Sequence, residues 1–296
     1  MDNPEQRAQV LIEALPYIQE FHGEDIVIKF GGSVMKDDEL KKSVAQDIVL
    51  LQYVGFEPIV VHGGGPVIAE TLRKMGIDSQ FVEGLRVTDP ETMDVVEMVL
   101  AGRVNKDVVN LINMAGANAI GLSGKDGQLL QAEPHSSAEE LDIDIGQVGE
   151  ITSVNPEPIQ LLQEKGYVPV IAPIGVDASG TTFNLNADEV AGAVARSLSV
   201  RKLIYLTDVE GILEDDELIS TLSTREIEAK RESGIIQGGM VPKATSAREA
   251  VEHGVQKAHI INGNREHSLL LELLTREGIG TQILPSTEDN PDVRMV

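Results

Sequence analysis

The chain has 296 residues, of which 48 are acidic and 24 basic, so its formal net charge is −24. A charge of that sign repels nucleic acid phosphates, and a nucleic acid partner is therefore not expected. The absence of cysteine excludes disulfides and thiolate chemistry. No apolar run approaches the roughly 20 residues of a membrane span, and the acidic N-terminus, broken by Pro16, does not resemble a signal peptide. These features predict a cytoplasmic protein that does not enter a membrane.

An apolar stripe at helical spacing precedes the first predicted strand. It consists of Val10, Leu11, Ala14, Leu15 and Ile18. The stripe predicts an amphipathic helix that Pro16 should kink. Such a helix has to bury its stripe, either on its own subunit or on another one.

Strand-like runs rich in β-branched residues alternate with helical patterns along most of the chain. The predicted strands are IVIKF (26–30), PIVVH (58–62), NAIGLSG (118–124), GQLLQAE (127–133), QVGEITSV (147–154), YVPVIAPI (167–174), KLIYLTD (202–208) and KAHIIN (257–262). The predicted helices are 39–53, 66–75, 90–101, 104–115, 187–199, 242–253 and 268–276, with a β-hairpin at 81–89. Apolar strands separated by helices indicate an α/β fold with an open, mainly parallel sheet between helices. We expect two lobes that share this sheet, with a boundary near 199–202.

Two glycine-rich loops follow the first two strands, KFGGS and VVHGGGP. Ligands of α/β sheets bind beyond the carboxyl ends of strands. The N–H groups of Gly63 to Gly65, at the start of a helix, would form an anion site, although an ordinary turn is the simpler interpretation. The chain lacks a P-loop motif, and Ile68 stands where a dinucleotide fingerprint needs a small residue. A P-loop enzyme and an NAD enzyme are therefore both disfavoured.

Five polar residues occur in apolar or glycine-rich contexts: Lys29, Arg86, Asn184, Asp188 and Lys243. Arg86 suits bidentate capture of a carboxylate, but it could equally lie along the surface. Asp188 stands at the start of a predicted helix, where its simplest role is that of an N-cap. Each signal is weak by itself, and together they form an ordered set along the chain.

These blocks resemble the amino-acid kinases and, within them, the acetylglutamate kinase branch. The resemblance runs in order through IVIKFGGSVM, VVHGGGP, FVEGLRVTD, FNLNADEVAGAVA, LIYLTDVEGIL, GGMVPK and HSLLLELLTREGIGT, almost the whole chain from Ile26. It implies an N-terminal lobe (24–199) that binds the acyl acceptor and a C-terminal lobe (200–296) that binds ATP. Residues 1–23 would form a kinked helix for oligomerisation and regulation.

The resemblance also implies roles for individual residues. Lys29 and Lys243 would neutralise charge on the transferring phosphoryl group, with Asp188 orienting both. The acceptor would be held by Gly64, Gly65, Arg86 and Asn184. The ATP site would comprise Gly31, Gly32, Thr207, Asp208, Gly211 and Ile212, and Mg²⁺ would arrive with ATP rather than in a protein cage.

The implied reaction transfers the ATP phosphoryl group to the side-chain carboxylate of N-acetyl-L-glutamate. A carboxylate is already ionised at pH 7, so this transfer needs positioning and charge stabilisation but no general base. Two alternatives stay open from the residues: a kinase for N-acetyl-aminoadipate or a carrier-linked substrate of lysine synthesis, and a non-catalytic amino-acid sensor.

The two chain ends resemble those of arginine-sensitive acetylglutamate kinases. The resemblance implies feedback inhibition by L-arginine in a homohexamer that the N-terminal helix interlaces. The implied arginine site comprises Tyr17, Lys202, His267, Glu272 and Gly278.

Overall fold

The computed structural model describes residues 3–31, 34–35, 37–82, 84–136, 144–275 and 278–286. Gly32, which the resemblance places in the ATP site, lies outside these residues. The helices are α1 Pro4–Phe21, α2 Asp38–Tyr53, α3 Gly65–Met75, α4 Pro90–Glu97, α5 Asn105–Ala115, α6 Glu157–Gln163, α7 Ala187–Leu198, α8 Thr224–Glu232, α9 Met240–Glu252 and α10 Ser268–Leu273. The main-sheet strands are β1 Asp25–Phe30, β2 Glu57–His62, β5 Ala119–Ser123, β8 Val168–Ala172, β11 Lys202–Thr207, β14 Thr221–Ser223, β15 Lys257–Asn262 and β16 Thr281–Leu284. The remaining strands are β3 Phe81–Val82, β4 Leu85–Arg86, β6 Leu130–Pro134, β7 Gly149–Val154, β9 Ile174–Val176, β10 Thr182–Asn184, β12 Leu213–Glu214 and β13 Glu217–Leu218.

The eight-stranded sheet has the order β14-β16-β15-β11-β1-β2-β8-β5. All its neighbouring strands are parallel except β15 and β16. This confirms the predicted α/β fold with a mainly parallel sheet. Strands β1 and β11, from the two sides of the predicted boundary near 199–202, pair directly, so one sheet runs through both parts of the chain.

The segment YVPVIAPI forms two strands instead of the predicted one. Strand β8 belongs to the large sheet, whereas β9 belongs to a four-stranded sheet of order β10-β9-β6-β7. Pro173 separates them. It has no N–H to donate, so the ladder of the large sheet cannot continue through it.

The two faces of β1 contribute to two separate hydrophobic cores. Ile26, Ile28 and Phe30 pack into the core beneath α2 and α5, and Val27 packs into the core beneath α7 and α9. Alternate side chains of a strand point to opposite faces, so Lys29 is on the face of Val27. A lysine at this position points toward α7 and α9.

The predicted helices 90–101 and 104–115 are joined without a loop. A π-helical segment, Met98–Val104, connects α4 to α5. Single-turn π-segments occur frequently at functional sites. Leu100 and Val104 of this segment are buried beside the second glycine loop, so the insertion shapes that loop's surroundings.

Helix α1 is capped by Asn3 and continues through Pro16. At its C-terminal end Phe21 stacks on Phe56, with ring centroids 5.5 Å apart. Earlier in the helix, Leu11 is 71% exposed and Leu15 42% exposed. The side chain of Val10 lies outside the described part of the chain. No helix among the described residues is long and apolar enough to cross a membrane.

Candidate active site

Three charged side chains from different elements meet at the start of α7. Lys29 Nζ of β1 lies 2.8 Å from Asp188 Oδ1, and Lys243 Nζ of α9 lies 3.3 Å from Asp188 Oδ2. Lys29 and Asp188 are both buried, whereas the Lys243 side chain is 21% exposed. The strand lysine is therefore an ion-pair partner within the core of the site.

The Asp188 carboxyl is held in its ionised form. Burial alone would raise its pKa, but the charges of Lys29 and then Lys243 outweigh burial and lower the pKa. Two ammonium groups against one carboxylate leave the cluster with a surplus positive charge. Such a surplus attracts an anion, which is notable in a chain of net charge −24.

Asp188 does not cap α7, which corrects the simplest interpretation of its position. The N-cap is Asn186, whose side-chain oxygen accepts a hydrogen bond from the Asp188 N–H at 2.8 Å. Because Asn186 satisfies the helix terminus, the Asp188 carboxylate remains available to both lysines.

The two glycine loops lie against each other. A Cβ on Gly31 would come within 2.9 Å of Lys29 Nζ, and a Cβ on Gly64 would overlap Leu100. The Gly63 N–H donates to the carbonyl of Phe30 at 2.8 Å, so it does not belong to the predicted anion site. Gly64 and Gly65 stand at the N-cap and first position of α3, where N–H groups have no intrahelical partner. These two N–H groups are the donors that the loop can offer.

His62, which the sequence analysis did not single out, supports the second glycine loop from below. It is fully buried, and burial lowers its pKa to about 4, so the ring is neutral at pH 7. Its Nδ1 lies 2.9 Å from the Gly63 carbonyl, which can only accept, so Nδ1 carries the proton. Asn105 then donates to Nε2 at 3.2 Å. In a planar peptide the C=O and the next N–H point in opposite directions, so fixing the Gly63 carbonyl directs the Gly64 N–H away from His62.

Arg86 lies in the predicted hairpin, formed by β3 and β4. It is buried, its guanidinium donates to Ser79 and to the Gly65 carbonyl (3.2 Å), and it lies 4.5 Å above the Phe81 ring. Burial lowers its pKa, but a guanidinium stays charged at any ordinary pH. Asn184 of β10 donates to Thr88 Oγ1 at 3.2 Å. Both residues are therefore oriented before any ligand binds.

A cavity of about 240 Å³ brings most of the predicted residues together. Its walls include Lys29, Gly64, Gly65, Arg86 and Asn184, together with the apolar residues Met35, Ile68, Phe81, Leu100, Val148 and Pro173. The volume suits a small molecule, and two cationic side chains, Lys29 and Arg86, line the cavity together with the apolar residues. A small anion with two acidic groups fits this distribution of charge.

Four of the residues predicted to bind the nucleotide, Thr207, Asp208, Gly211 and Ile212, stand outside this cavity, at the carboxyl end of β11. Thr207 is buried, and its hydroxyl contacts the carbonyls of Val209 and Ile261. Gly211 has φ +154°, and a Cβ there would crowd Thr281. Ile212 is buried and Asp208 is exposed. Because β11 is parallel to and beside β1, this end opens on the same edge of the sheet as Lys29.

A second charged cluster, here called the α10 cluster, contains Lys202, His259 and Glu272, all buried. His259 Nδ1 lies 2.5 Å from Glu272 Oε1, and the N–H groups of Ile279 and Gly280 donate to Oε2. Although burial opposes ionisation, these hydrogen bonds lower the pKa of Glu272. Burial lowers the pKa of Lys202 to about 8, with a smaller contribution from Lys257.

The other residues of the predicted arginine site lie on α1 (Tyr17), at the N-cap of α10 (His267) and after α10 (Gly278). Lys202 Nζ lies 4.4 Å above the ring of Phe21, near the end of α1, and Tyr17 packs against the adjoining core. Gly278 has φ +62°, and a Cβ there would come within 2.9 Å of Glu272. His267 Nδ1 lies 2.6 Å from Asp47 Oδ1 of α2. Helix α10 ends at Leu273, three residues before the predicted end.

The described residues contain no group of three or more His, Asp or Glu side chains arranged to hold a metal ion. What the site offers instead is the ammonium groups of Lys29 and Lys243, the guanidinium of Arg86 and backbone N–H donors. This set of groups stabilises negative charge.

Comparison with known proteins shows which family the chain belongs to. The sequence pattern of the family described as "Amino acid kinase family" matches residues 25–262. An acetylglutamate kinase of Thermoanaerobacter pseudethanolicus is 56% identical over 281 residues, 94% of this chain and 93% of that protein. Another, of Solidesulfovibrio magneticus, is 50% identical over 291 residues, 96% of this chain and 98% of that protein. The chain belongs to the acetylglutamate kinase family of the amino acid kinase superfamily.

Among solved structures, the chain is similar to the N-acetylglutamate synthase of Neisseria gonorrhoeae, with 28% identity. The TM-score is 0.82 for its complex with coenzyme A and N-acetyl-glutamate and 0.79 for its complex with coenzyme A and L-arginine. The match covers 94% of this chain but only 63% and 65% of those chains. The synthase thus has a further region with no counterpart here.

Proposed function

We propose that this protein transfers the γ-phosphoryl group of ATP to the side-chain carboxylate of N-acetyl-L-glutamate, giving N-acetyl-L-glutamyl 5-phosphate. The observation that carries the proposal is the cavity that Lys29 and Arg86 both line, with Lys29 ion-paired to Asp188. An acetylated glutamate has two carboxylates separated by a short apolar stem, which corresponds to this arrangement. Membership of the acetylglutamate kinase family supports the same substrate.

The transfer needs no protein base. A side-chain carboxylate oxygen attacks the γ-phosphorus, and the bond from that phosphorus to the bridging oxygen of ADP breaks, so negative charge moves toward ADP. Lys29 and Lys243 offset the charge on the moving phosphoryl group, and Asp188 keeps both ammonium groups in place. The N–H groups of Gly64 and Gly65 add neutral donors at the same end.

The acceptor is oriented by the remaining cavity residues. Arg86 pairs with its α-carboxylate, because a guanidinium fork matches a carboxylate, and Asn184 contacts the acetylamino group. The contacts of Arg86 with Ser79 and of Asn184 with Thr88 hold the two side chains in advance. Less order then has to be created when the acceptor binds.

ATP enters with Mg²⁺ as its substrate complex and extends from Lys29 toward the end of β11. Gly31 lies along its phosphates, and Thr207, Asp208, Gly211 and Ile212 border its nucleoside. This placement rests on the parallel neighbours β1 and β11, whose carboxyl ends open together.

A hydroxylamine assay, which traps acyl phosphates, tests the reaction with N-acetyl-glutamate, N-acetyl-aminoadipate, glutamate and aspartate. We expect MgATP-dependent product with N-acetyl-glutamate and little with free glutamate, whose ammonium would enter a site shaped for a neutral amide. Turnover of N-acetyl-aminoadipate equal to or above that of N-acetyl-glutamate would assign the protein to lysine synthesis instead. No product with any acceptor would favour the non-catalytic sensor.

We also infer that L-arginine inhibits the enzyme by binding at the α10 cluster. Glu272 offers a carboxylate for the guanidinium, and Lys202 offers a cation for the ligand's own carboxylate. The solved complex of the Neisseria synthase with L-arginine supports arginine as a ligand of related folds. The inhibitor would act between α1 and the catalytic part of the chain, because Lys202 contacts Phe21 of α1.

The exposed apolar face of α1 supports a homohexamer in which these helices interlace. Leu11, Ile12 and Leu15 are exposed in the single chain, and a second copy of α1 would cover them. Light scattering and an arginine titration on the intact chain and on a chain starting at Glu24 test both ideas. We expect a hexamer inhibited by arginine, and a smaller, insensitive assembly after truncation. An intact dimer, or activity that arginine leaves unchanged, would contradict them.

A further inference from the structure

Two buried hydroxyl groups contact the backbone carbonyl of Asp188. Ser246 Oγ lies 2.9 Å from this oxygen and Tyr205 Oη 3.2 Å from it, and the two hydroxyls are 2.8 Å apart. Tyr205 of β11 is completely buried, and Ser246 of α9 is 4% exposed. Neither residue lines the cavity, so neither is placed to contact a substrate.

Counting protons fixes the direction of these hydrogen bonds. Each hydroxyl has a single proton, and the carbonyl of Asp188 can only accept. The two shortest contacts are satisfied when Tyr205 donates to Ser246 and Ser246 donates to Asp188. Burial raises the pKa of Tyr205, so its phenol keeps the proton it donates. The longer contact from Tyr205 to the carbonyl then becomes available only when Ser246 is removed.

These hydrogen bonds, here called the Tyr205–Ser246 relay, connect α7 to α9, which carries Lys243, and to β11, the neighbour of the Lys29 strand. Ser246 follows Lys243 by three residues, so the two side chains share one face of α9. Tyr205 is in register with Lys29 across the β1–β11 pair. Helices α7 and α9 also approach closely here, because a Cβ on Gly192 would overlap Ser246 Oγ.

Lys243 depends on such a connection more than Lys29 does. Its ammonium is 3.3 Å from Asp188, against 2.8 Å for Lys29, and its side chain is more exposed. Helix α9 begins at Met240, and its N-cap, Gly239, has no side chain to cap it. The first turn of α9 is held at its own end by main-chain hydrogen bonds from Met240 to Gln237 and from Val241 to Gly238. The Lys243 ammonium also donates to the Gly239 carbonyl at 3.1 Å, so Asp188 is not its only partner.

We propose that Tyr205 and Ser246 are positioning residues for phosphoryl transfer, which hold α9 against α7 so that Lys243 reaches Asp188 and the moving phosphoryl group. The inference rests on the role proposed above for Lys243. A displacement of about 1 Å at a reacting centre can lower a rate about 100-fold. The relay therefore controls kcat although it touches no substrate.

The test measures kcat and KM by hydroxylamine trapping with N-acetyl-glutamate and MgATP for Tyr205→Phe, Ser246→Ala and the double variant. Each single variant retains one hydroxyl contact to the Asp188 carbonyl, so we expect kcat to fall only about threefold. The double variant loses both contacts, and we expect a fall of about 30-fold or more with KM for N-acetyl-glutamate within about twofold. Tyr53→Phe and Ser197→Ala remove hydroxyl-to-carbonyl hydrogen bonds elsewhere and should leave kcat unchanged.

The same double substitution in a Lys243→Ala background separates positioning from general support. If the relay acts through Lys243, adding the double substitution to Lys243→Ala should change kcat by less than about twofold. A pair that merely supports the fold would lower kcat by the same factor in both backgrounds, which would overturn the inference. Gly192→Ala, whose methyl group displaces the Ser246 hydroxyl, provides a second variant if the double variant does not fold. It should lower kcat and leave KM unchanged, and full kcat in Gly192→Ala would overturn the inference.

The outcomes distinguish this inference from the proposed role of Lys243. Unchanged kcat in Lys243→Ala alone would remove that role, and the positioning inference with it. Reduced kcat in Lys243→Ala together with full kcat in the relay double variant would overturn the positioning inference alone. Reduced kcat in both, without further loss when they are combined, would support it.

Discussion

Two buried carboxylates of this protein are held in different ways. Asp188 is flanked by two ammonium groups, Lys29 and Lys243, which reach it from a strand and a helix of their own. Glu272 is held by His259 and by two backbone N–H groups a few residues further along the chain. Ion-pair partners surround the first carboxylate, whereas hydrogen-bond donors hold the second.

Under the proposed function, this difference separates a site for phosphoryl transfer from a site that recognises a charged ligand. The Asp188 cluster keeps a surplus positive charge, which can stabilise the negative charge of a phosphoryl group as it passes from ATP to an acceptor. In the α10 cluster, burial lowers the pKa of His259 and favours its neutral form. The positive charge of Lys202 and the negative charge of Glu272 therefore nearly cancel. A balanced pair suits a zwitterion that brings one charge of each sign.

We expect the largest effect when Lys29, the buried counter-ion of Asp188, is replaced. In Lys29→Met the buried Asp188 retains only Lys243, so we expect kcat to fall at least about 100-fold. Breaking a buried ion pair on one side typically lowers the free energy of unfolding by about 3–5 kcal/mol. Trapping assays and urea unfolding measure the two effects.

Lys41→Met is the matched control, because Lys41 pairs with the exposed Asp38 at the surface. We expect its kcat to stay at the wild-type value and its stability to change little. If Lys29→Met behaved like this control, the ion pair with Asp188 would have no part in catalysis.

The sequence signals for the residues that meet at Asp188 are local. An apolar strand with a single lysine, a triple glycine after a strand and a small-residue helix each occupy a short continuous segment. The position of Lys29 on the α7 face follows from strand alternation alone. The α/β fold follows in the same way from periodicity.

Contacts between distant segments gave no such signal. Nothing near His62 indicates that Asn105 will donate to it, and nothing near Tyr205 indicates Ser246. The choice of Asn186 over Asp188 as N-cap depends on which of two suitable residues the lysines engage. The sequence does not predict the π-helical segment, because residues 98–104 have an ordinary helical pattern.

Arg86→Lys tests whether Arg86 binds the acceptor in the cavity. A lysine keeps the charge but cannot form a two-pronged contact with a carboxylate. We expect KM for N-acetyl-glutamate to rise about tenfold or more, with little change in kcat. Arg231→Lys, at an exposed pair with Glu228, serves as control. An unchanged KM with kcat abolished would show that Arg86 does not bind the acceptor.

A third carboxylate, Asp47, tests the α10 region by pH. Burial raises its pKa to about 6, and the hydrogen bond to His267 only partly opposes this. An unfolded aspartate has a pKa of about 3.9, so between these values the folded chain binds more protons. Its contribution to the free energy of unfolding is therefore present below about pH 4 and is lost as the pH rises through about 6.

Asp47→Asn removes this titration without changing the side-chain shape. We expect the variant to gain up to about 2 kcal/mol on the wild type between pH 4 and pH 8, measured by urea unfolding at several pH values. Asp94→Asn, at an exposed position of α4, should show no such gain. A stability difference that does not vary with pH would mean that Asp47 titrates normally.

Salt should act with opposite sign on the outer surface and on the Asp188 site, and this is the smallest effect we expect. The surface carries most of the net charge of −24, and its self-repulsion weakens as the screening length falls to about 10 Å at 0.1 M salt. Raising KCl from low to molar concentration should therefore raise Tm by a few degrees if the acidic surface is an adaptation to salt. The same screening weakens the attraction of the Asp188 cluster for MgATP, so KM for MgATP should rise while Tm rises.

Potassium glutamate at equal ionic strength separates screening from binding of chloride. A protein that is most stable and most active in dilute buffer would leave only a well-solvated acidic surface, with no adaptation to salt.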